Sequence, residues 1–255
     1  MRQVFPRSAL SLLLGTLAGS VPLSAQEAAA IAPVVPAASE PTTPTIPRWY
    51  AGVAVDIGRP TGAFRRNVGQ AAGATAHVRL RIDPYGLLSL RFEGGYLNYG
   101  HESQRTCLAN TPACRVAVNV TTANGILSAG IGPELSLPLG PVRVSAHGVV
   151  GASRLSTFSG LGGGLLPDFV AADEHFGDGG FAWRTGAGLS VPVHRGVAFD
   201  LSVSYQGHGQ RDYLIKGGVT DNADGTLDLD VKRSTANVLA WHMGFTAPLT
   251  RKPKP

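Results

Sequence analysis

Eight stretches of this chain alternate with period two, and all eight divide the same way. Large apolar residues fall on one side, and glycine, serine, histidine and charged residues fall on the other. Period two is the strand period. The first stretch sets Trp49, Ala51, Val53, Val55 and Ile57 against Gly52, Ala54 and Asp56. The second sets Ala74, Ala76, Val78 and Leu80 against Thr75, His77, Arg79 and Arg81. In the third, Leu88, Leu90, Phe92 and Tyr96 oppose Ser89, Arg91 and Glu93. The fourth opposes Leu127, Ala129, Ile131 and Leu135 to Ser128, Gly130, Gly132 and Glu134. The fifth has Val142, Val144, Ala146 and Val150 against Arg143, Ser145, His147 and Ser153. The sixth has Phe181, Trp183, Ala187, Leu189 and Val191 against Arg184, Gly186, Gly188 and Ser190. The seventh sets Val197, Phe199, Leu201, Val203 and Tyr205 against Asp200, Ser202, Ser204 and Gln206. The last sets Leu239, Trp241, Met243 and Phe245 against Ala240, His242 and Gly244. Eight is an even number, and each stretch is about the ~9–11 residues that a tilted membrane strand needs.

The polar side decides which face meets what. A soluble barrel turns a Lys- and Glu-rich face to water, whereas these stretches contain no lysine. Their polar side is small and mixed, as the narrow interior of an eight-strand barrel requires. Five arginines (Arg79, Arg81, Arg91, Arg143, Arg184) face four acids (Asp56, Glu93, Glu134, Asp200) there, with His77, His147 and His242 among them. That near-balance predicts a self-paired lumen network, because an unpaired buried charge costs several kcal/mol. Face matching across Asp83-Pro84-Tyr85-Gly86 puts Arg79 opposite Arg91, His77 opposite Glu93, and Arg79 within diagonal reach of Glu93. Across Pro138-Leu139-Gly140-Pro141, it puts Leu137 opposite Val142 and Glu134 opposite Ser145. Aromatics near the strand ends, Trp49, Tyr96, Phe181, Trp183, Tyr205, Trp241 and Phe245, suit two interfacial girdles.

Connections alternate too. Short turns at 83–86, 138–141 and 194–196 are separated by long connections at roughly 58–70, 99–115, 156–179 and 207–234. Short turns at one end and long loops at the other fit an up-and-down barrel inserted from the periplasm. Outside the barrel, residues 1–25 read as a signal peptide: Arg2 and Arg7, an apolar core around Leu12 to Leu14, and small residues at Ser24-Ala25. Residues 26–47, punctuated by Pro33, Pro36, Pro41, Pro44 and Pro47, read as an extended linker. The barrel then occupies 48–246, and 247–255 is a basic tail. Without Arg2 and Arg7 the chain has 20 basic and 17 acidic residues, a charge of +3 too dispersed to recruit nucleic acid.

On strand count, turn asymmetry, alternation and the aromatic last strand, residues 48–246 resemble the small eight-stranded outer-membrane barrels of Gram-negative bacteria, the OmpA/OmpX type. The resemblance implies an all-β, eight-stranded antiparallel up-and-down transmembrane barrel in the outer membrane. Its partners would be outer-membrane lipid, lipopolysaccharide and the barrel-assembly machinery, which would read Leu239 to Phe245 as a targeting signal. It implies a structural anchor displaying surface loops for envelope integrity or adhesion, without a cofactor and without enzymatic activity. One departure is that ten residues follow Phe245, where the family normally ends on its aromatic. The tail is too short to be a peptidoglycan-binding domain.

Two further readings remain open. One is a membrane-embedded lipid A hydrolase or acyltransferase, since Glu134, Ser145 and His147 share a face on adjacent strands. Some barrels of this size carry such activity, but with a His-x-Ser order facing lipid, whereas here the order is Ser145-Ala-His147 and faces inward. The other is a secreted lipocalin-like binder. The three lumen histidines lack metal-ligand spacing, and aligning Asp224-Gly225 within Asp221 to Asp230 to a calcium loop puts Thr220 first and Val231 twelfth, so both key ligand positions fail. That segment reads instead as a hairpin tip at Asp224-Gly225, with Leu227, Leu229 and Val231 continuing the eighth strand. Export makes a Cys107–Cys114 disulfide a structural clip across a six-residue gap, worth about 2 kcal/mol. The apolar loop Gly160 to Val170 reads either as a surface contact for a ligand or lipid or as a plug folded over the barrel mouth, with the surface contact favoured.

Overall fold

The computed structural model describes residues 47–107, 117–161, 173–194, 196–222 and 226–249. The expected leader, the linker up to residue 46, the Asp224-Gly225 tip, Cys114, the loop from Gly162 to Val170 and the tail from Thr250 lie outside the described residues. Barrel strands are β1 (Trp49–Pro60), β2 (Ala71–Arg81), β3 (Leu88–Cys107), β4 (Ala117–Leu139), β5 (Val142–Leu161), β6 (Asp173–His194), β7 (Val197–Gly207) and β10 (Val238–Pro248). Each pairs antiparallel with its neighbour. β1 closes on β10 from Tyr50 opposite Pro248 to Pro60 opposite Val238. The fold is therefore an all-β, closed eight-stranded antiparallel barrel.

Closure puts every alternating set on a definite side. Val53 is 64% exposed and Phe181 65% on the outer wall, while Asp56 is 2% and Glu134 1% exposed within. Trp183 and Tyr205 pack on each other at 5.6 Å near one rim of the wall, and Phe199 and Phe245 at 5.5 Å nearer the other.

The turns fix the registers. Gly86, at φ +72, ends the β2–β3 turn, and the Asp83 carboxylate accepts from the backbone N–H groups of Tyr85, Leu87 and Leu88. Arg79 then lies opposite Arg91 and His77 opposite Glu93. The β4–β5 register differs from expectation by two residues: Leu139 pairs with Val142, so Glu134 faces His147 rather than Ser145. The physical reason is the turn. Only Gly140 (φ +64) and Pro141 form it, a two-residue loop with positive φ at its first position. Pro138 belongs to the strand, opposite Arg143.

Two long connections are largely strand. β3 to β6 run 20 to 23 residues, whereas β1, β2, β7 and β10 run 11 or 12. About ten residues of each long strand therefore stand beyond the barrel as a four-stranded sheet, roughly 30 Å along the strand direction. Residues 227–235 do not continue the last strand. They form β9 (Leu227–Thr235), which pairs with β8 (Gln210–Asp221) in a separate hairpin. The chain breaks at Ala236-Asn237, where Ala236 N–H donates to Gly209 and Asn237 C=O accepts from Thr61. The hairpin leans onto the protruding sheet, with Asp212 N–H donating to Asp178 at 2.8 Å and Arg211 donating to the Phe181 carbonyl.

Candidate functional site

The lumen of the barrel is where charge concentrates. Five side chains from four strands form a continuous chain of ion pairs: Arg79–Glu134, Glu134–Arg91, Arg91–Glu93 and Glu93–Arg184, each at 2.7 or 2.8 Å. The inward parity of β2, β3, β4 and β6 delivers them, and Gly52 and Gly186 leave room for the neighbouring His77 and His147 rings. Ser136 adds a third hydrogen bond to Glu134. The expected Arg79–Glu93 pair is not formed. Arg79 instead reaches past β3 to Glu134, because Arg91 and Arg184 already occupy both oxygens of Glu93.

The other two lumen acids form no ion pair with an arginine among the described residues. Asp56 accepts from Thr75 and lies 2.6 Å from His242 Nδ1, while His242 Nε2 lies 2.7 Å from Ser204 Oγ. The carboxylate can only accept, so Nδ1 carries a hydrogen, and Nε2 shares the second hydrogen bond with the serine hydroxyl. This is the hydrogen-bond order of a hydrolytic triad. Ser204, however, is 1% exposed, so an acyl carbonyl has no path to its Oγ, and the relay serves to brace β1, β7 and β10 where the barrel closes. Asp200 accepts from Ser190 and Thr246, and Thr246 also lies 3.2 Å from His77 Nε2.

Arg81 and Arg143 stand apart from this chain. Both guanidiniums sit at the short-turn mouth and donate to backbone carbonyls, Arg81 to Pro84 and Pro47, Arg143 to Gly86. The candidate hydrolytic set is also not assembled. Glu134 is engaged by two arginines, and Ser145 and His147 share no hydrogen bond among the described residues. No group of three metal-ligating side chains occurs among the described residues. Cys107 ends β3, and its side chain, like Cys114, lies outside the described residues, as does most of the apolar Gly160–Val170 loop.

Beyond the ion pairs, towards the long strands, the inner face turns apolar. Leu97, Ile126 and Leu155 keep the inward parity of Glu93, Ser128 and Ser153 but pack with Phe64, Tyr99, Tyr213 and Val238 in a buried cluster. Three edge-to-face ring contacts at 4.9 to 6.3 Å join Phe64, Tyr99 and Tyr213. Asn67 and Ser234 bind the Tyr213 hydroxyl, and Tyr99 donates to the Leu214 carbonyl. The β8–β9 hairpin and the 3₁₀ turn Phe64–Arg66 thus stopper the barrel. Small cavities in the mid-bore include ones of about 40 and 20 Å³. The smaller is lined by Gln206 and His208, whose buried side-chain polar atoms have no protein partner. Each is large enough for water and too small for a solute path. Sequence reasoning misses the apolar stopper. Its signal is the run of apolar residues at inward parity past Gly95 and Ser128.

An apolar outer wall, a cross-paired charged interior and a stoppered bore define a small transmembrane β-barrel rather than a soluble barrel or an open channel. No family model and no curated protein matches the chain. Among solved structures, it is similar in shape to Neisserial surface protein A (15% identity, TM-score 0.44, 79% of this chain and 97% of that one). It is likewise similar to Ail, the attachment invasion locus protein of Yersinia pestis (14%, 0.38, 78% and 96%). A third is a major outer membrane protein from Thermus thermophilus (11%, 0.43, 77% and 98%). The closed strand order, not these likenesses, defines the barrel.

Proposed function

We propose that this protein is an integral outer-membrane barrel of a Gram-negative bacterium, serving as a rigid anchor that presents the β3–β6 sheet and the β8–β9 hairpin outside the cell. One observation carries the reading: the bore is filled by ion pairs and capped by an apolar cluster, while four strands continue well past the apolar wall. Such a wall supports a platform and has no room for transport. The apolar belt would contact outer-membrane lipid and lipopolysaccharide, and the aromatic last strand would be read by the barrel-assembly machinery. Surface ligands would bind the platform, consistent with a role in adhesion or envelope integrity, and a Cys107–Cys114 clip would tie the β3–β4 tip. Ser204, His242 and Asp56 are bracing residues in this reading, not a catalytic set.

The test combines two measurements on whole cells and purified protein. External protease should cut within 108–116 or 162–172 while the barrel core survives, and planar bilayers should show no discrete conductance steps. Protection of both loops on intact cells, or stable conductance, would contradict the proposal.

A further inference from the structure

At the short-turn mouth, opposite the platform, Arg81 and Arg143 have no carboxylate partner among the described residues. We propose that this mouth is a binding site for a phosphate group, held by Arg81 and Arg143 with Arg79 behind them. The three arginines line a cavity of about 110 Å³ together with Ser89, Ser136 and Ser190. Arg81 Nη2 and Arg143 Nη1 donate to the carbonyls of Pro84 and Gly86, so one turn orients both guanidiniums. Each has five N–H donors. Arg143 spends one and Arg81 two on these and the Pro47 carbonyl, leaving the rest uncommitted among the described residues. The Nε atoms of Arg79 and Arg81 are enclosed by protein and unpartnered.

Nearby carboxylates are already engaged. Glu134 is held by Arg79, Arg91 and Ser136, Asp200 by the hydroxyls of Ser190 and Thr246, and Asp83 by three backbone N–H groups. Half-buried guanidiniums without an acid are costly unless an anion joins them. Two planar forks suit an oxyanion. Ser136 and Ser190 already donate to Glu134 and Asp200, so among the described residues Ser89 is the lining serine whose hydroxyl is left to donate. That further donor beside the forks suits phosphate, with four oxygens, better than a planar carboxylate with two. The shared chemistry is the phosphate group, whether free or carried by a phospholipid headgroup of the facing leaflet.

The experiment uses the full chain in maltoside micelles, which contain no phosphate, and follows arginine Nε–H resonances by NMR. Inorganic phosphate should shift the Arg81 signal saturably, whereas acetate at equal ionic strength should not. Arg81→Gln with Arg143→Gln should weaken phosphate binding at least about tenfold while heat-modifiable gel mobility is retained. Arg143→Lys, which keeps the charge and loses the fork, provides a second variant should the double one fail to fold, and should weaken binding several-fold. Native mass spectrometry after reconstitution in phosphatidylglycerol vesicles separates the sources. A phospholipid retained by the wild type and lost in the variants assigns the headgroup, and saturation by free phosphate without lipid retention assigns the free anion. No saturable shift and no retained lipid, an equal response to acetate, or unchanged binding in the variants would overturn the site.

Discussion

Glu134→Gln is the most informative single change in the lumen. The substitution keeps volume but removes the negative charge held by Arg79 and Arg91 at 2.8 Å, at a position 1% exposed. Arg91 keeps Glu93, while Arg79 loses its only carboxylate among the described residues. Breaking a buried pair by removing one partner costs about 3–5 kcal/mol, mostly from the stranded charge. Removing both should cost less than the sum, so Arg79→Gln with Glu134→Gln should recover about 1–3 kcal/mol as coupling. Urea unfolding in phosphatidylcholine vesicles, read by tryptophan fluorescence and gel mobility, measures all three variants. The single-variant loss should also change little with salt, since enclosed charges are poorly screened. A loss under about 1 kcal/mol, or strict additivity with Arg79→Gln, would refute the ion-pair chain as a structural brace.

Other consequences follow from the same geometry. Tyr213→Ala removes the ring wedged between Phe64 and Tyr99. It should cost the hairpin about 3–5 kcal/mol of local stability, seen as protease cleavage in β8–β9 while the barrel still resists heat-free denaturation in detergent. Gly132→Ala would set a Cβ 1.8 Å from the Gly148 carbonyl oxygen, so β4 and β5 must part; heat-modifiable mobility should be lost or folding markedly slowed. At the β2–β3 turn, some desolvation of the Asp83 carboxyl raises its pKa, but the N–H groups of Leu88, Leu87 and Tyr85 outweigh it and hold the pKa below the usual carboxylate value. Its stabilising contribution is therefore present above the unfolded-chain pKa and lost as pH falls through the lowered one. Protection of the Leu88 amide from hydrogen exchange, measured against the intrinsic rate at each pH, should fall at acid pH in the wild type and be low already at neutral pH in Asp83→Ala.

How much of this was legible depended on what surrounds each residue. Within the wall, lipid outside and polar groups inside force strict alternation, so Val53, Leu201 and Met243 announce their side. The β2–β3 register was readable because Asp83 and Gly86 leave one good turn. The β4–β5 register was not, because Pro138 looks like a turn residue and sits in a strand. Charge partners were half hidden for another reason: Arg184 reaches Glu93, and Arg79 reaches Glu134, from strands that are not neighbours. Pairwise face matching cannot see across a bore. Above the wall no lipid enforces alternation, so residues 99–107 read as loop although they are strand. Leu229 and Val231 do alternate, yet β7 ends at Gly207, so β9 pairs with β8 and not with the barrel.

The chain has three tryptophans, Trp49, Trp183 and Trp241, all 41–42% exposed on the outer wall. Intrinsic fluorescence in vesicles of brominated phosphatidylcholine therefore reports the wall directly. Strong quenching by the brominated chains, with little by aqueous iodide, is the expected result. Quenching by iodide and none by bromolipid would place these rings in water and contradict a membrane-spanning barrel.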